Sequence, residues 1–259
     1  MIRTLCTAAV VGLLATPAIA DVTVTTQVAG KGGESQSITY IKGLKMRSDS
    51  SMLGTPTTTI TDIETQKFIS INHKKKEVTV YDMAQFRQDL DKSMKTSQAE
   101  ASLKPNGQTK DIAGRACTGY DISMALPMAM GGQGGPEMTM VMSGPVFIAK
   151  GAPGSADYAR FHNAAAEKGF IMSDPRAAKA NPSQTKGMTQ LYKAIGDTGG
   201  IPYYMEMSVK IEGGGPMAGV MSKMMGGAAF TQTVTSVSTD AVADDKFAVP
   251  ADYKVKDSK

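Results

Sequence analysis

The sequence predicts an α+β fold in which a broad antiparallel sheet curls around a few helices. Three observations lead there. Residues 57–82 hold three short β-branched and aromatic runs, divided by polar turns at Glu64-Thr65-Gln66 and Lys74-Lys75-Lys76. Such residues suit a pleated, half-buried surface, so the stretch reads as an antiparallel meander. Apolar spacing then becomes helical at only three places, after Asp82, Ser155 and Ser183. The order is therefore strands, helix, strands, helices, strands, which is not the regular alternation of a βαβ protein.

Taken in order, Val22 to Val28 alternates Val and Thr as a first strand, and Gly30-Lys31-Gly32-Gly33 turns it. Gln36 to Ile41 and Leu44 to Ser48 form a hairpin about Lys42-Gly43. With the meander this makes about six consecutive strands in the N-terminal third. In the meander, Ile69 and Ile71 share one face against Phe68, and Val78 and Val80 share one against Tyr81. A sheet with apolar groups on both faces needs cover on more than one side.

Asp82 suits an N-cap, with Gln85 completing a capping box, and Met83, Phe86, Leu90 and Met94 fall on one helix face. The polar stretch from Thr96 to Lys110, with Lys104-Pro105-Asn106-Gly107, reads as a long loop. Lys110 to Leu126 is a strand pair or one long strand around Gly114. The glycine-rich segment from Gly131 to Pro136 is a turn, and Met138 to Lys150 a strand kinked at Gly144-Pro145. Ser155 suits the cap of a helix carrying Tyr158, Phe161 and Ala165 on one face and closed by Gly169. Ser183 suits the cap of another, with Met188, Leu191, Tyr192 and Ile195 at helical spacing and Gly196 as its stop; Pro175 and Pro182 bracket the connector. Pro202 to Glu212 and Phe230 to Thr239 are strands around a Gly- and Met-rich stretch, and the tail from Asp244 to Lys254 packs one short apolar segment.

Residues 1–20 read as a signal peptide: Arg3 supplies the positive region, Ala8 to Ala15 is apolar, and Ala18-Ile19-Ala20 is a small-x-small cleavage site. The apolar run is too short to span a bilayer as a helix. Cleavage after Ala20 and a periplasmic location are expected. Removing 20 of the 259 residues leaves 239, a single domain over residues 21–259. Loss of Arg3 lowers the net charge from +4 to +3, too mild and too dispersed for nucleic acid. Lys74 to Lys76 reads as a solvated hairpin tip, with transient contact to a membrane surface or envelope protein as the alternative. Processing removes Cys6 and leaves Cys117 alone, so no internal disulfide forms. Cys117 reads as a small buried hydrophobe, or else as a reactive thiol or metal ligand.

No catalytic constellation stands out. His73 lies beside the lysine turn, and His162 reads as a polar-face or half-buried helix residue; neither sits at metal-ligand spacing with a second His, a Cys or a carboxylate. There is no Gly-x-Ser-x-Gly elbow, and the glycine-rich turn lacks the Gly-Lys-Ser/Thr of a phosphate-binding loop. The expectation is a non-enzyme with no cofactor.

The anomaly is methionine, 19 residues with no Trp. Spaced by two, Met138, Met140 and Met142 share a strand face, as do Met205 and Met207. Three readings stand: filler in an ordinary core; a deformable lining for a lipid-like ligand; or soft thioether ligands for Cu(I). In the second, Phe86, Leu90, Tyr158, Phe161, Leu191 and Ile195 cover the space between sheet and helices from the helix side.

The segments Ile112-Ala-Gly-Arg-Ala-Cys-Thr-Gly-Tyr120, Pro145-Val-Phe-Ile-Ala-Lys150 and Phe247-Ala-Val-Pro-Ala-Asp-Tyr-Lys254 resemble the secreted bacterial family DUF4412. That family is similar in outline to the lipoprotein-carrier superfamily (LolA, LolB, LppX). The resemblance covers most of the mature chain and implies a curved half-barrel whose concave face is plugged by helices over an apolar cavity. It brings no catalytic residues. The expectation is thus an exported monomeric carrier of a lipid, an acyl chain or another apolar molecule. Periplasmic copper handling through the Met clusters, or a structural envelope protein with no ligand, are the alternatives.

Overall fold

The structure, a computed structural model, describes residues 21–30, 33–52, 54–88, 98–129, 137–170, 175–213, 220 and 229–258. The expected leader, Leu90, Met94, the turn at 131–136 and most of the Gly- and Met-rich stretch lie outside them. The N-terminal strands are β1 (Val22–Gly30), β2 (Gly33–Lys42), β3 (Lys45–Met52), β4 (Thr55–Asp62), β5 (Lys67–Asn72) and β6 (Glu77–Asp82). A helical segment at 83–88, α1, follows. Next come β7 (Glu100–Ile112), β8 (Arg115–Ala129) and β9 (Glu137–Lys150), then the helices α2 (Ser155–Glu167), α3 (Pro175–Ala180) and α4 (Pro182–Asp197). The chain ends in β10 (Gly200–Gly213), β11 (Ala229–Ser238), a 3₁₀ turn at Asp244–Phe247 and β12 (Lys254–Ser258).

The strands form one open sheet in the order β12-β6-β5-β4-β3-β2-β1-β11-β10-β9-β8-β7. Every pair is antiparallel except β12 with β6. The fold is α+β, and β7 and β12 are the edge strands of the sheet among the described residues. Two meanders, β1–β6 and β7–β11, are joined where β11 pairs with β1.

Several sequence expectations change. Residues 100–112 are a strand, not a loop. They look like a loop because β7 is an edge: most of its side chains are exposed and polar, and an edge tolerates Pro105 because one row of its N–H groups has no strand to bond. The register shifts between Pro105 and Thr109, where Gly107 takes a φ of 74° and Asn106 gives its amide N–H to Asp121 at 2.9 Å. The β7–β8 hairpin turns at Ala113 and Gly114, with φ of 49° and 71°, which makes 110–126 a strand pair. β9 runs through Gly144-Pro145 in unbroken register with β8, while its ladder with β10 lapses there.

Of the expected helix ends, the first holds and the others move. Asp82 caps α1, accepting from the N–H groups of Ala84 at 2.9 Å and Gln85 at 3.3 Å. The N-cap of α2 is Gly154, in a left-handed conformation, rather than Ser155, which is the first helical residue. Asn181 stands at the N-cap of α4, and Pro182, whose missing N–H is harmless at the first helical position, starts it; Ser183 is already inside. Gly196 is not the stop. The helix runs to Asp197, Thr198 is its C-cap, and Gly199 takes the left-handed turn at φ 70°. Pro175 likewise opens α3, a helix within the expected connector. The tail adds β12 to the sheet, with Lys256 paired to Glu77 at 2.6 Å.

Both faces of the sheet are covered. On the outer face of β4–β6, Ile60, Ile71 and Val78 are buried under Phe247, Val249 and Tyr253 of the tail. On the inner face, α2 and α4 lie over the sheet, and Phe161 is wholly buried in a cluster with Val22, Ile41, Phe68 and Phe170. Leu191 and Ile195 of α4 pack against Ile122, Val146 and Ile148 of β8 and β9. Fully burying side chains of this kind stabilises by roughly 1.5–3 kcal/mol each, and this is what holds the helices to the sheet.

Candidate ligand cavity

Cross-strand registry decides what faces the helices. From β9 the inner face carries Met138, Met140 and Met142, since Met142 pairs with Met124, Met140 with Leu126 and Met138 with Met128 of β8. From β10 it carries Met205 and Met207, paired with Gln232 and Phe230 of β11. The methionine stripe is therefore one surface, assembled by register from strands that share no local sequence motif.

Between this surface, α2, α4 and strands β1–β4 lies a cavity of about 280 Å³. Met142, Met205, Met207, Leu191, Ile195 and Phe230 form its apolar wall. Of the residues expected to line it, Tyr158 also borders it. Met138 does not; it is buried in a separate cluster with Ile211. Met140 packs with Met124 and Leu126 instead. Phe161 lies in the core behind the cavity, and Phe86 leans half-buried on that same core.

The part of the wall contributed by β1–β4 was not foreseen. Thr26, Ser37, Thr39, Ser48 and Thr59 border the cavity from β1–β4. They are in register: Thr26 with Ser37, Thr39 with Ser48, and Ser48 with Thr59. The signal was present as Ser or Thr at alternate positions of β2, β3 and β4, but such residues in a strand also read as an ordinary solvated face. Ser48 Oγ lies 3.4 Å from both Ser37 Oγ and Thr39 Oγ1. That is long for a hydroxyl pair, so these groups retain hydrogen-bonding capacity.

His162 also borders the cavity and is 5 % exposed, fully buried where a polar-face or half-buried residue was expected. Its ring lies parallel to that of Tyr192, 5.8 Å between centroids, and 4.3 Å from that of Tyr158. Nδ1 is buried with no hydrogen-bond partner among the described residues. Burial lowers the imidazole pKa from 6.5 to about 4, so it is neutral at pH 7. Burial pushes the phenols of Tyr158 and Tyr192 up. Cys117 is buried away from the cavity; desolvation, aided by the Asp111 charge, raises its pKa, as befits an inert packed thiol. Among the described residues no group of three or more His, Cys, Asp or Glu side chains is placed to hold a metal.

No protein-family model and no curated protein matches the chain. Among solved structures it is similar to an uncharacterized conserved protein from Thermus thermophilus, at 8 % identity and a TM-score of 0.39, over 93 % of this chain and 92 % of that one.

Proposed function

We propose that this chain is an exported, non-enzymatic carrier that holds an apolar, lipid-like or acyl ligand in the cavity between sheet and helices. The observation that carries the reading is the cavity's apolar wall. Met142, Met205 and Met207 present flexible thioether side chains to a space near the lower end of the usual size for a ligand site. Unbranched methionines repack around chains of different shape at little cost, whereas a β-branched lining would fix one shape. In this reading the sheet is a half-barrel of the lipoprotein-carrier kind, related to DUF4412, and the protein is a periplasmic monomer cleaved after Ala20. It contacts a membrane surface or envelope protein transiently to load and unload. Phe86, Phe161, Met138 and Met140 then serve as supporting packing rather than as direct lining.

Native mass spectrometry of protein purified from its own cells tests this. Co-purified lipid, together with a chain that begins at Asp21, is the expected result. An intact Met1 refutes export. Bare protein that also takes up no fluorescent acyl probe refutes the carrier, and bound copper would favour the thioether alternative.

A further inference from the structure

The cavity has two unlike walls, and the second bears on the head group of its occupant. We propose that it selects a neutral amphipathic lipid, a single acyl or alkyl chain ending in hydroxyl and ester oxygens as in a monoacylglycerol, over the same chain ending in a carboxylate or phosphate. The inference deepens the carrier reading and rests on it.

Beside the apolar wall of Met142, Met205, Met207 and Phe230, strands β1–β4 of the same sheet bring five side-chain hydroxyls to the cavity, with Val24 and Met46 among them. Thr39, Ser48 and Thr59 form one row across β2, β3 and β4, and Thr26 and Ser37 a second beside it. Each hydroxyl is one donor and two acceptor sites, so the wall can answer hydroxyl and ester oxygens in either role. The other polar groups at the cavity are the Gln232 amide, the Tyr158 and Tyr192 phenols and the His162 imidazole. All are neutral at pH 7.

No Lys, Arg, Asp or Glu borders the cavity among the described residues. An anionic head placed here would leave water with no cation to meet it, and an uncompensated buried charge is strongly unfavourable. A neutral head loses far less hydration and recovers it on the hydroxyl rows.

The test titrates delipidated full-length protein with three probes of one chain length: a monoacylglycerol, the free fatty acid in its ionised form, and the lysophosphatidic acid. Displacement of a fluorescent acyl probe reads the affinity of each. The monoacylglycerol should bind about tenfold tighter, or more, than either anion. The triple variant Thr39→Val, Ser48→Ala, Thr59→Val should still bind chains but lose most of that preference. Equal or tighter binding of the fatty acid overturns the head-group inference and leaves the carrier reading intact. Binding of no probe overturns both. A folded triple variant that keeps the full preference removes the hydroxyl rows from the explanation. The wild-type ratio needs no variant, so the inference stays falsifiable if the triple variant does not fold.

Discussion

His73 joins the C-terminal tail to the sheet through Tyr253, with 3.0 Å between Nδ1 and the phenol oxygen. The direction of the bond follows from the far side of the ring. Thr58 gives its hydroxyl hydrogen to Asp49 at 2.5 Å, so its oxygen accepts from His73 Nε2–H at 2.9 Å. In the neutral ring Nδ1 is then the bare nitrogen, and Tyr253 donates to it. Arg47 completes the clamp, holding Asp49 at 2.8 Å and the Lys246 carbonyl at 2.5 Å. The tail that covers Ile60, Ile71 and Val78 is thus tied down by polar groups as well as by apolar contact.

Tyr253→Phe should remove that bond, leave Nδ1 unpaired and cost about 1 kcal/mol by thermal or denaturant unfolding. Hydrogen exchange should accelerate first in β12 and the outer face of β4–β6. Nitrogen-15 NMR of the wild-type ring should show the proton on Nε2. A proton on Nδ1 contradicts the assigned direction.

The meander made this arrangement partly legible. Ile69, Ile71, Val78 and Val80 alternate against Phe68 and Tyr81, which says that both faces need cover. What supplies the outer cover was not legible, because the tail's Phe247, Val249 and Tyr253 lie far along the chain and form no periodic pattern. β7 was lost for a different reason. An edge strand exposed along most of its length carries little apolar alternation, and Pro105-Asn106-Gly107 punctuates it like a loop. Period two alone puts Met138, Met140 and Met142 on one face of their strand and Met205 and Met207 on one face of theirs; that the two sets share the inner face comes from the cross-strand register. Which of them border a cavity depends on how far α2 and α4 reach along the sheet, and strand periodicity holds no information on that.

Gly144 marks where β9 and β10 approach too closely for any side chain. A Cβ there would lie 1.9 Å from the Glu206 carbonyl oxygen, a backbone atom that cannot swing aside. Gly144→Ala should therefore cost at least as much as a severe overpacking, about 3 kcal/mol, and the thermal midpoint should fall accordingly. A midpoint unchanged within error would show that the two strands separate freely at this point. Gly43→Ala offers the contrast: nothing lies within 4 Å of its Cβ position, so only the strain of its φ of 57° is felt.

Two buried or half-buried methionines on the same inner face should respond differently to charge. Met124 is wholly buried with Ala99 and Leu126, whereas its cross-strand partner Met142 borders the cavity. Met124→Glu buries a carboxylate with no partner and should unfold the protein or cost several kcal/mol. Met142→Glu places the carboxylate beside space that water can enter, so the fold should survive with a smaller loss while uptake of an acyl probe falls. Met142→Leu keeps the volume and should cost under about 1.5 kcal/mol. If Met142→Glu is as damaging as Met124→Glu, the cavity is dry core.

Acid should weaken the fold through His162. Its pKa is about 4 in the native state against an ordinary value of 6.5, and burial is the cause. As pH falls below 6.5 the unfolded chain takes up this proton while the native chain does not, so unfolding is favoured. The contribution is fully present above that pH, is lost progressively toward pH 4, and levels off below it. A shift of this size corresponds to about 3 kcal/mol. Its ring neighbours Tyr158 and Tyr192 titrate far above this window and do not offset it. Carboxylates that titrate in the same acid range act on every variant alike, so the measurement is a difference between two curves. Unfolding free energy is followed from pH 7 to pH 4 in the wild type and in His162→Phe, which keeps an aromatic ring between the tyrosines. The wild type should lose more stability across that range, with the gap between the curves opening below pH 6.5. Parallel curves would mean that the imidazole is hydrated or hydrogen-bonded in the native protein rather than desolvated by burial.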